Sequence, residues 1–374
     1  MFGTERTSEV RHIQVFPGIN FLYISGPQWL AEHPIIPIIN YRWHNNNAGK
    51  FGMMTKRIAA LLAIVTIASA GTAAAQTNIA GVRYYDFTHK IPTFAPLNGD
   101  VTKADLSKPF KDSKAVASFG FQATRKLKDP FKTQKGFFQW GWFHFDEHYT
   151  THLDSTDHYL NSDTSKNADK RSVEEYSLKD IIGPIVYLDI SARVSKELAK
   201  NGGKPSPDRK VTNFGEATGA TVMPSDLENI AGKITDRAWI VVHSGWDKHF
   251  VGNPPKNPFM HPYINGLNFP GFGKSAVEKL IEIENRKGVR INGIVMDNLS
   301  IDSGESGRGS DGKNPFGDGW YTHQLGLTRG WKLLENAKGT GQIAKEAGHC
   351  TLIVGAIRLT SSTGAPARVI AACR

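Results

Sequence analysis

Cysteine is scarce in this chain of 374 residues, which contains two thiols, Cys350 and Cys373. Neither has a cysteine neighbour close in sequence, which argues against a zinc site built on cysteine pairs. Segments 351–359 and 368–372 are predicted to be β-strands. If they pair as a hairpin, the two cysteines face each other at its open end, where an oxidising compartment would favour a disulfide. Two free thiols are the alternative, because the sequence does not fix the hairpin register.

Dense basic clusters are also missing. Lys and Arg number 45 against 35 Asp and Glu, a net charge of +10, but no basic run reaches five residues. Scattered charge predicts a mildly basic exported protein with no nucleic-acid partner. Internal repeats, heptads and a phosphate-binding glycine loop are absent as well, and the lone pair Gly271 and Gly273 is predicted to be a turn.

Long apolar runs are absent too. The main one, residues 58–70, has 13 residues, whereas a bilayer-spanning helix needs roughly 20. Lys56-Arg57 precede this run and Ala73-Ala74-Ala75 follow it, which is the layout of a secretory signal peptide over 53–75. The prediction is an exported protein, periplasmic or secreted, with no membrane span after cleavage; an uncleaved anchor is the alternative.

This signal begins unusually late in the chain. Residues 1–52 show no sustained helical or strand period, so they are predicted to be an unstructured leader or a start-site artefact, with the true start at Met53 or Met54. Cleavage would leave 76–374, enough for a single domain with loop insertions.

Strand and helix patterns alternate through the remaining chain. Predicted strands cover 84–89, 183–190, 238–242 and 289–296. One helix opens near Pro224 with Ser225 and Glu228 at capping-box spacing, and a second runs over 275–287 and stops at Gly288. Alternation predicts an α/β fold with a mixed sheet and flanking helices. Polar insertions are predicted at 161–177, 200–220 and 303–319.

Three histidines and an aspartate crowd into eleven residues: His148, His152, Asp154 and His158. Imidazole and carboxylate groups are good ligands for divalent metals. Because each is costly to bury unpaired, this density favours a bound metal with a catalytic base beside it. A run of unrelated exposed histidines is the alternative.

The spacing of these residues requires the backbone to turn. In an extended strand His148 and His152 would lie about 13 Å apart, whereas metal–ligand bonds are about 2.0–2.2 Å long. A turn brings residues four apart to one side, where Asp154 can join them. His158 could either ligate or stand beside the site as a base.

The cluster resembles the metal-dependent cyclase-like hydrolases, which include bacterial arylformamidase (kynurenine formamidase) and isatin hydrolase. Their pattern is His-x-Gly-Thr-His-x-Asp-x-Pro-x-His, and the three histidines, the aspartate and Thr151 match it. Thr150 stands at the family's Gly and Thr156 at its Pro, which leaves the subfamily open. Further ordered motifs are similar to the family's: 86–89, 243–246, 269–271, 297–302 and 364–371.

The resemblance implies a swivelling β/β/α cyclase-like domain and a set of site residues. His148, His152 and Asp154 would hold a first metal, and Asp154 would bridge to a second one held by His323 and Glu335. The metal would be zinc or manganese, as one or two ions. His158 would be the general base or acid, acting on a metal-activated water.

The activity implied is hydrolysis of a small molecule at a C–N bond other than a peptide bond, as in arylformamidase, or at a lactone. A polyketide-type cyclase or dehydratase is one alternative. Another is an exported binding protein whose metal is structural, which would have a closed coordination sphere. The family also implies a homo-oligomer, a dimer or tetramer.

Aromatic residues could line a pocket for a flat ring, although each is more commonly core. The candidates are Trp246, Trp140, Trp142, Phe138 and Phe143. The remaining histidines, among them His144, His249 and His261, are predicted to be structural or surface groups.

Overall fold

A computed structural model describes residues 76–90, 146–159, 170–250, 260–306 and 319–374, together with the backbones of strands in 11–23 and 123–145. The chain forms two compact units, Met1–Gly71 and Thr72–Arg374. In the first unit β1 and β2 pair as an antiparallel hairpin, within residues predicted to lack regular structure. The predicted signal peptide, 53–75, lies outside the described residues.

The strands are numbered in chain order, and those of the second unit begin at Gln76. Their bounds are β1 (Arg11–Phe16), β2 (Ile19–Tyr23), β3 (Gln76–Ile79), β4 (Val82–Asp86), β5 (Ala123–Leu127), β6 (Phe131–Thr133), β7 (Gly136–Phe138), β8 (Gly141–Phe145), β9 (His152–Asp154), β10 (Ile182–Asp189), β11 (Trp239–His243), β12 (Gly293–Met296), β13 (Lys332–Glu335), β14 (Cys350–Ala356) and β15 (Gly364–Cys373). The α-helices of the described residues are α1 (Leu178–Ile181), α2 (Ser191–Ala199), α3 (Pro224–Ile230) and α4 (Lys274–Lys287).

Seven of these strands close into a barrel. Their order is β14-β10-β11-β12-β13-β9-β15, and β15 pairs with β14 to complete the ring. β10 to β13 are parallel, while β14, β9 and β15 join antiparallel. The mixed α/β prediction is confirmed, but the expected sheet with flanking helices is corrected to a barrel with few helices. Closure pairs strand edges that an open sheet would leave exposed.

Both faces of the barrel strands are buried, and alternate residues belong to different cores. Trp239, Val241 and Val295 pack with the inward-facing cluster, whereas Ile240 and Met296 pack with the cluster that includes α2, α3 and α4. A seven-stranded barrel has room inside for side chains only, so the helices cover its outer face. Strands that are buried on both faces have nearly continuous apolar sequences. This is why β10 and β11 were recognisable in the sequence.

The two longer predicted helices form, with one change of cap. α4 ends at Gly288, which adopts a left-handed φ of 64°, as glycine readily does after a helix. α3 begins at Pro224, and the carboxylate of Asp226 accepts the backbone N–H of Met223 at 2.9 Å. The capping pair predicted at Ser225 and Glu228 is therefore wrong. The missing N–H of Pro224 fits the first helical position, which moves the cap back to Met223.

The C-terminal hairpin forms the disulfide that the sequence left open. β14 and β15 pair antiparallel with Cys350 opposite Cys373, and the two sulfurs are bonded. β15 starts at Gly364, earlier than predicted, because its first residues pair with β9. β12 is shorter than predicted and begins at Gly293.

The predicted insertions are described in part. Residues 200–220 form an irregular connection with one 3-10 turn, Glu216–Thr218, as expected for a loop. Residues 161–169 and 307–318 lie outside the described part of the chain. Among described residues, no helix is both long and apolar enough to cross a membrane.

Candidate metal centre

The predicted turn before His152 is present. Thr150 adopts a left-handed φ of 55°, and its carbonyl accepts a hydrogen bond from His152 Nδ1 at 2.8 Å. The rings of His148 and His152 consequently lie 5.2 Å apart between centroids, far closer than an extended chain allows. The bond to Thr150 leaves His152 Nε2 facing the carboxylates of the site.

β9 brings residues from three distant parts of the chain together. It lies between β13 and β15, with His152 opposite Glu335 and Asp154 opposite Gly364. His152 and Asp154 are two residues apart, so they share one face of the strand while Leu153 points into the barrel core. The site is therefore built on the outer face of the barrel.

His148 reaches the same face from the preceding turn. Its Nδ1 lies 2.7 Å from Asp154 Oδ1, and its Nε2 lies 3.1 Å from Thr363 Oγ1. The ring packs directly over Gly364, where an added Cβ would come within 2.4 Å of the imidazole. Glycine at 364 thus makes room for His148.

His323 comes from a π-helical turn, Thr322–Gly326. Its Nδ1 donates to Asp302 Oδ2 at 2.6 Å, and the backbone N–H of Thr322 donates to the other oxygen at 2.7 Å. This bond directs Nε2 towards Asp154 Oδ2 at 3.7 Å and Glu335 Oε1 at 3.8 Å. A carboxylate behind an imidazole is the usual way to orient a metal-binding histidine.

Glu335 completes the group at the end of β13. Its Oε1 accepts hydrogen bonds from Ser300 Oγ at 2.9 Å and the backbone N–H of Ile301 at 3.0 Å. Its Oε2 lies 3.6 Å from His152 Nε2. We call the five residues His148, His152, Asp154, His323 and Glu335 the metal cluster.

The electrostatics of the metal cluster are those of ionisable groups crowded away from water. Burial and the charge of Asp154 raise the pKa of Glu335 to about 7. Burial opposes protonation of His152, but Asp154 and Glu335 outweigh it and raise the pKa to about 9. Burial also opposes protonation of His323, but the carboxylates around it, chiefly Asp302, outweigh burial and raise its pKa to about 9. When no cation is bound, the raised pKa values of these three groups favour bound protons, which supply the positive charge that a cation would supply.

One atom shows that the cluster fits a metal. Asp154 is fully buried, and its Oδ2 has no hydrogen-bond donor among the described residues. A buried carboxylate oxygen without a partner is costly, whereas imidazole and carboxylate donors suit a divalent ion. Two groups of residues each bring their donor atoms within 4.8 Å of one another. One group is His148, Asp154 and His158, and the other is His152, Asp154 and Glu335.

His158 lies beside the cluster. Its ring centroid is 3.9 Å from that of His148 and 5.6 Å from that of His323. Burial lowers the pKa of His158 to about 3 despite the nearby charge of Asp154. The imidazole is therefore neutral at ordinary pH, and its place among the donor sets also suits a ligand.

The two departures from the family pattern have different consequences. Thr150 occupies the left-handed conformation that favours glycine, so the replacement strains the backbone. Thr156 donates its backbone N–H to Tyr176 Oη at 2.8 Å, a bond that proline could not make. Its Oγ1 accepts the N–H of Arg171 at 3.0 Å, so neighbouring residues accommodate the second departure.

One of the five residues suggested for an aromatic wall has its side chain described by the structure, and it belongs to the core. Trp246 is fully buried and donates its indole N–H to the Tyr263 carbonyl at 2.8 Å, so it belongs to the core. The side chains of Phe138, Trp142, Phe143 and His144, and all of Trp140, lie outside the described residues. Trp320 instead approaches His323, with ring centroids 5.6 Å apart.

Sequence reasoning assigned no role to Asp302, which orients His323, or to Asp297. Asp297 follows β12 and accepts bonds from Ser244 N at 2.9 Å, Gly245 N at 2.8 Å and His243 Nδ1 at 3.1 Å. His243 Nδ1 also lies 3.0 Å from Thr340 Oγ1. We call Asp297, His243, Ser244, Gly245 and Thr340 the Asp297 cluster. The signal for Asp297 was available, because polar residues directly after a buried strand lie at its carboxyl end.

Comparison with known proteins identifies the family. The Cyclase family model matches residues 85–303, more than half of the chain, and the chain belongs to that family. The match includes His148 to His158 and Asp302 but ends before His323 and Glu335. A comparison with curated protein sequences gives no match.

Solved structures share the fold. Isatin hydrolase A from Labrenzia aggregata, bound to benzyl benzoate, is 21% identical with a TM-score of 0.50, over 84% of this chain and 99% of that one. Isatin hydrolase A from Ralstonia solanacearum is 17% identical with a TM-score of 0.50, over 88% and 100%. At these identities the likeness establishes the fold alone.

Proposed function

We propose that this protein is a metal-dependent hydrolase that cleaves an amide, a cyclic amide or a lactone. The observation that carries the proposal is the buried Asp154 Oδ2, which lacks a donor among the described residues and faces His323. Membership of the Cyclase family and the isatin hydrolase fold of its neighbours support a hydrolytic reaction on a small molecule.

The metal cluster would hold zinc or manganese, as one or two ions shared through Asp154. When bound, such a metal supplies Lewis-acid polarisation of a carbonyl and a lowered pKa of water. The protein contributes rigid orientation: the Thr150 carbonyl fixes His152, and Asp302 fixes His323. Both contacts set which imidazole nitrogen faces the site.

His158 acts as general base and then general acid. Its neutral imidazole accepts a proton from the attacking water and returns it to the leaving nitrogen or oxygen. Gly364 leaves the space that His148 occupies beside Asp154. Arylformamide-like substrates would suit this chemistry, since they offer a polarisable carbonyl and a leaving nitrogen.

A second reading follows from the position of His158 within a donor set with His148 and Asp154. If His158 ligates, the metal is enclosed and the protein binds rather than converts a small molecule. Replacing His158 by Ala in the full chain separates the two readings. Retained zinc or manganese with lost turnover of formanilide, isatin or dihydrocoumarin supports hydrolysis; loss of the metal supports ligation.

The control for that experiment is His261→Ala. His261 Nδ1 accepts the N–H of Tyr263 at 3.1 Å, and His261 is not among the residues of the two donor sets. Incorporation of labelled oxygen from water distinguishes hydrolysis from ring closure or dehydration. Metal-loaded wild-type protein that turns over none of the three compounds would contradict the proposed substrate class.

Export to the periplasm or beyond, through the predicted signal peptide, is part of the proposal. The disulfide between Cys350 and Cys373 supports it, because disulfides persist in oxidising compartments. N-terminal sequencing of the exported protein tests it, with Gln76 as the expected first residue. Assembly as a dimer or tetramer is tested by light scattering.

A further inference from the structure

His89 is tied to the metal cluster through the backbone. Its N–H donates to Thr151 Oγ1 at 2.9 Å, and that hydroxyl donates to the Asn336 carbonyl at 2.6 Å. Thr151 precedes His152, and Asn336 follows Glu335. The Cα of His89 is therefore held beside the strand ends that carry two cluster residues.

The side chain of His89 is buried without full satisfaction of its polar atoms. The residue is 7% exposed, and Nε2 has no hydrogen-bond partner among the described residues. Its ring packs against Phe250, with centroids 4.1 Å apart. Buried polar atoms in native proteins nearly always have a partner, so an orphaned nitrogen beside a candidate active site points to a ligand or water.

Tyr263 carries a second buried polar atom without a partner among the described residues. Phe250 also contacts Tyr263, with ring centroids 5.0 Å apart. Tyr263 is fully buried, and its hydroxyl lacks a partner in the described part of the chain. His89, Phe250 and Tyr263 thus form a continuous aromatic wall that carries two unused hydrogen-bonding atoms, a combination typical of small-molecule pockets.

The charge state of His89 limits what it can recognise. Burial, with a contribution from Lys338, lowers its pKa to about 3. The imidazole is neutral at ordinary pH and suits a neutral carbonyl or N–H group better than a carboxylate. Lys338 and Asp297 are the charged groups that act on its ring, while its backbone bond to Thr151 ties the residue to the metal cluster.

We propose that His89 Nε2 binds the substrate directly, by a hydrogen bond to a neutral carbonyl or N–H group beside the bond to be cleaved. This deepens the proposed function and rests on it. His158 then serves proton transfer, while His89 selects planar neutral substrates that carry such a group next to the aromatic wall.

The test compares His89→Phe and His89→Gln in the full chain loaded with zinc or manganese, with isatin and formanilide as probes. Loss of one neutral hydrogen bond predicts a KM about tenfold higher for His89→Phe, with kcat changed less than about threefold. His89→Gln keeps a hydrogen-bonding atom and is expected to recover most of the loss. Metal content should stay at the wild-type value.

His249→Phe is the matched control. Its Nε2 is also buried without a partner among the described residues, and its ring contacts Trp246 at 4.9 Å between centroids. The tether through Thr151 and Asn336 belongs to His89. An equal KM increase in His249→Phe, or an unchanged KM in His89→Phe, would overturn the proposal.

Equilibrium binding separates this claim from the proposed function. If the metal-loaded wild type hydrolyses neither probe, the hydrolase assignment fails, and isatin binding to wild type and His89→Phe still decides the role of His89. Binding weakened about tenfold by His89→Phe, with unchanged melting temperature and metal content, supports the contact. Equal binding by the two proteins refutes it.

Discussion

The metal cluster and the Asp297 cluster are both groups of buried acids and imidazoles at strand ends, but their carboxylates are satisfied differently. Asp297 accepts hydrogen bonds at both oxygens from Ser244, Gly245 and His243. Asp154 has imidazoles near Oδ1 and no donor to Oδ2 among the described residues. A closed set of donors marks a structural carboxylate, and an open oxygen marks one that awaits a ligand.

The pKa of Asp154 is lowered, like that of Asp297, and the two clusters differ instead in the acid beside each aspartate. Ser244 and His243 outweigh the cost of burying Asp297 and lower its pKa, so the ionised carboxylate is already paired within the protein. In the metal cluster, burial and the charge of Asp154 raise the pKa of Glu335 to about 7. A bound cation would relieve this repulsion between the two carboxylates.

The largest expected effect is on metal binding by Asp154→Asn. The substitution keeps the shape but removes the charge that both halves of the metal cluster face. Groups that merely orient a metal ligand are worth about 10- to 100-fold in affinity, so loss of a central ligand should cost more than about 100-fold. Metal analysis of purified protein checks this, with Asp297→Asn as the comparison. Equal metal content in wild type and Asp154→Asn would remove Asp154 from the site.

The free energy of unfolding should respond in the opposite order, with a larger loss in Asp297→Asn than in Asp154→Asn. Asp297→Asn breaks a fully buried network and leaves His243 without its carboxylate. Removing one partner of a buried pair typically costs about 3–5 kcal/mol, so we expect the free energy of unfolding of metal-free protein to fall by about that amount. Asp154→Asn should cost less, since it relieves repulsion with Glu335. Urea unfolding of both variants measures the difference, and the reverse order would contradict the comparison.

The next effect is a pH dependence of the free energy of unfolding, and it is confined to the metal-free state. His152 and His323 have folded pKa values of about 9, above the ordinary value of about 6.5. Their stabilisation is fully present below pH 6.5 and is lost as pH rises through 9. We expect the free energy of unfolding to fall by about 2 kcal/mol for each histidine, on the order of 4 kcal/mol in all, between pH 7 and pH 9.

Bound zinc should remove most of that dependence, because it takes the place of the protons. Thermal melts of apo and zinc-loaded protein at pH 7 and pH 9 make the measurement. The variant His323→Gln should show a smaller slope than wild type in the apo state. Identical slopes with and without zinc would show that other groups govern the dependence.

The smallest effect concerns the backbone turns of the two clusters. Gly245 in the Asp297 cluster has φ 69°, and Thr150 beside the metal cluster has φ 55°. A left-handed conformation costs a residue with a Cβ about 1–2 kcal/mol. Thr150→Gly should therefore stabilise the protein by about 1 kcal/mol, less a little for the lost side chain, and Gly245→Ala should destabilise it by a similar amount.

An added Cβ at Gly245 would meet no atom closer than 3.6 Å, so conformation rather than crowding sets the cost there. Chemical denaturation of the two variants measures both changes, and Thr150→Ala serves as the control that keeps the strain. A Thr150→Gly protein no more stable than Thr150→Ala would show that the turn is not strained.

Much of the metal cluster could be predicted because its ligands form a local motif. The spacing of His148, His152 and Asp154 demanded a turn, and the structure places that turn at Thr150. β10, β11 and α4 were recognisable from apolar runs and from the stop signal at Gly288. His323 and Glu335 had no such local signal and were suggested by resemblance alone.

Barrel closure was beyond the reach of the sequence patterns. β9 has three residues, too few for a periodic signal, yet it joins β13 to β15 and so completes the ring. Those pairings link residues separated by more than about a hundred positions, and local propensity carries no information about partners so distant. The missed cap at Met223 is a smaller case, in which Pro224 decided the start of α3.

The sequence by itself determined which donors this protein has and where several of its strands and helices form, because spacing and apolar periodicity are local properties. Tertiary structure decided which carboxylate oxygens receive donors from the protein and which do not. Asp154 and Asp297 are the same residue type, each placed at the end of a buried strand. Only the packing of β9 against β13 and β15 leaves Asp154 Oδ2 open, while the Ser244–Gly245 turn closes around Asp297.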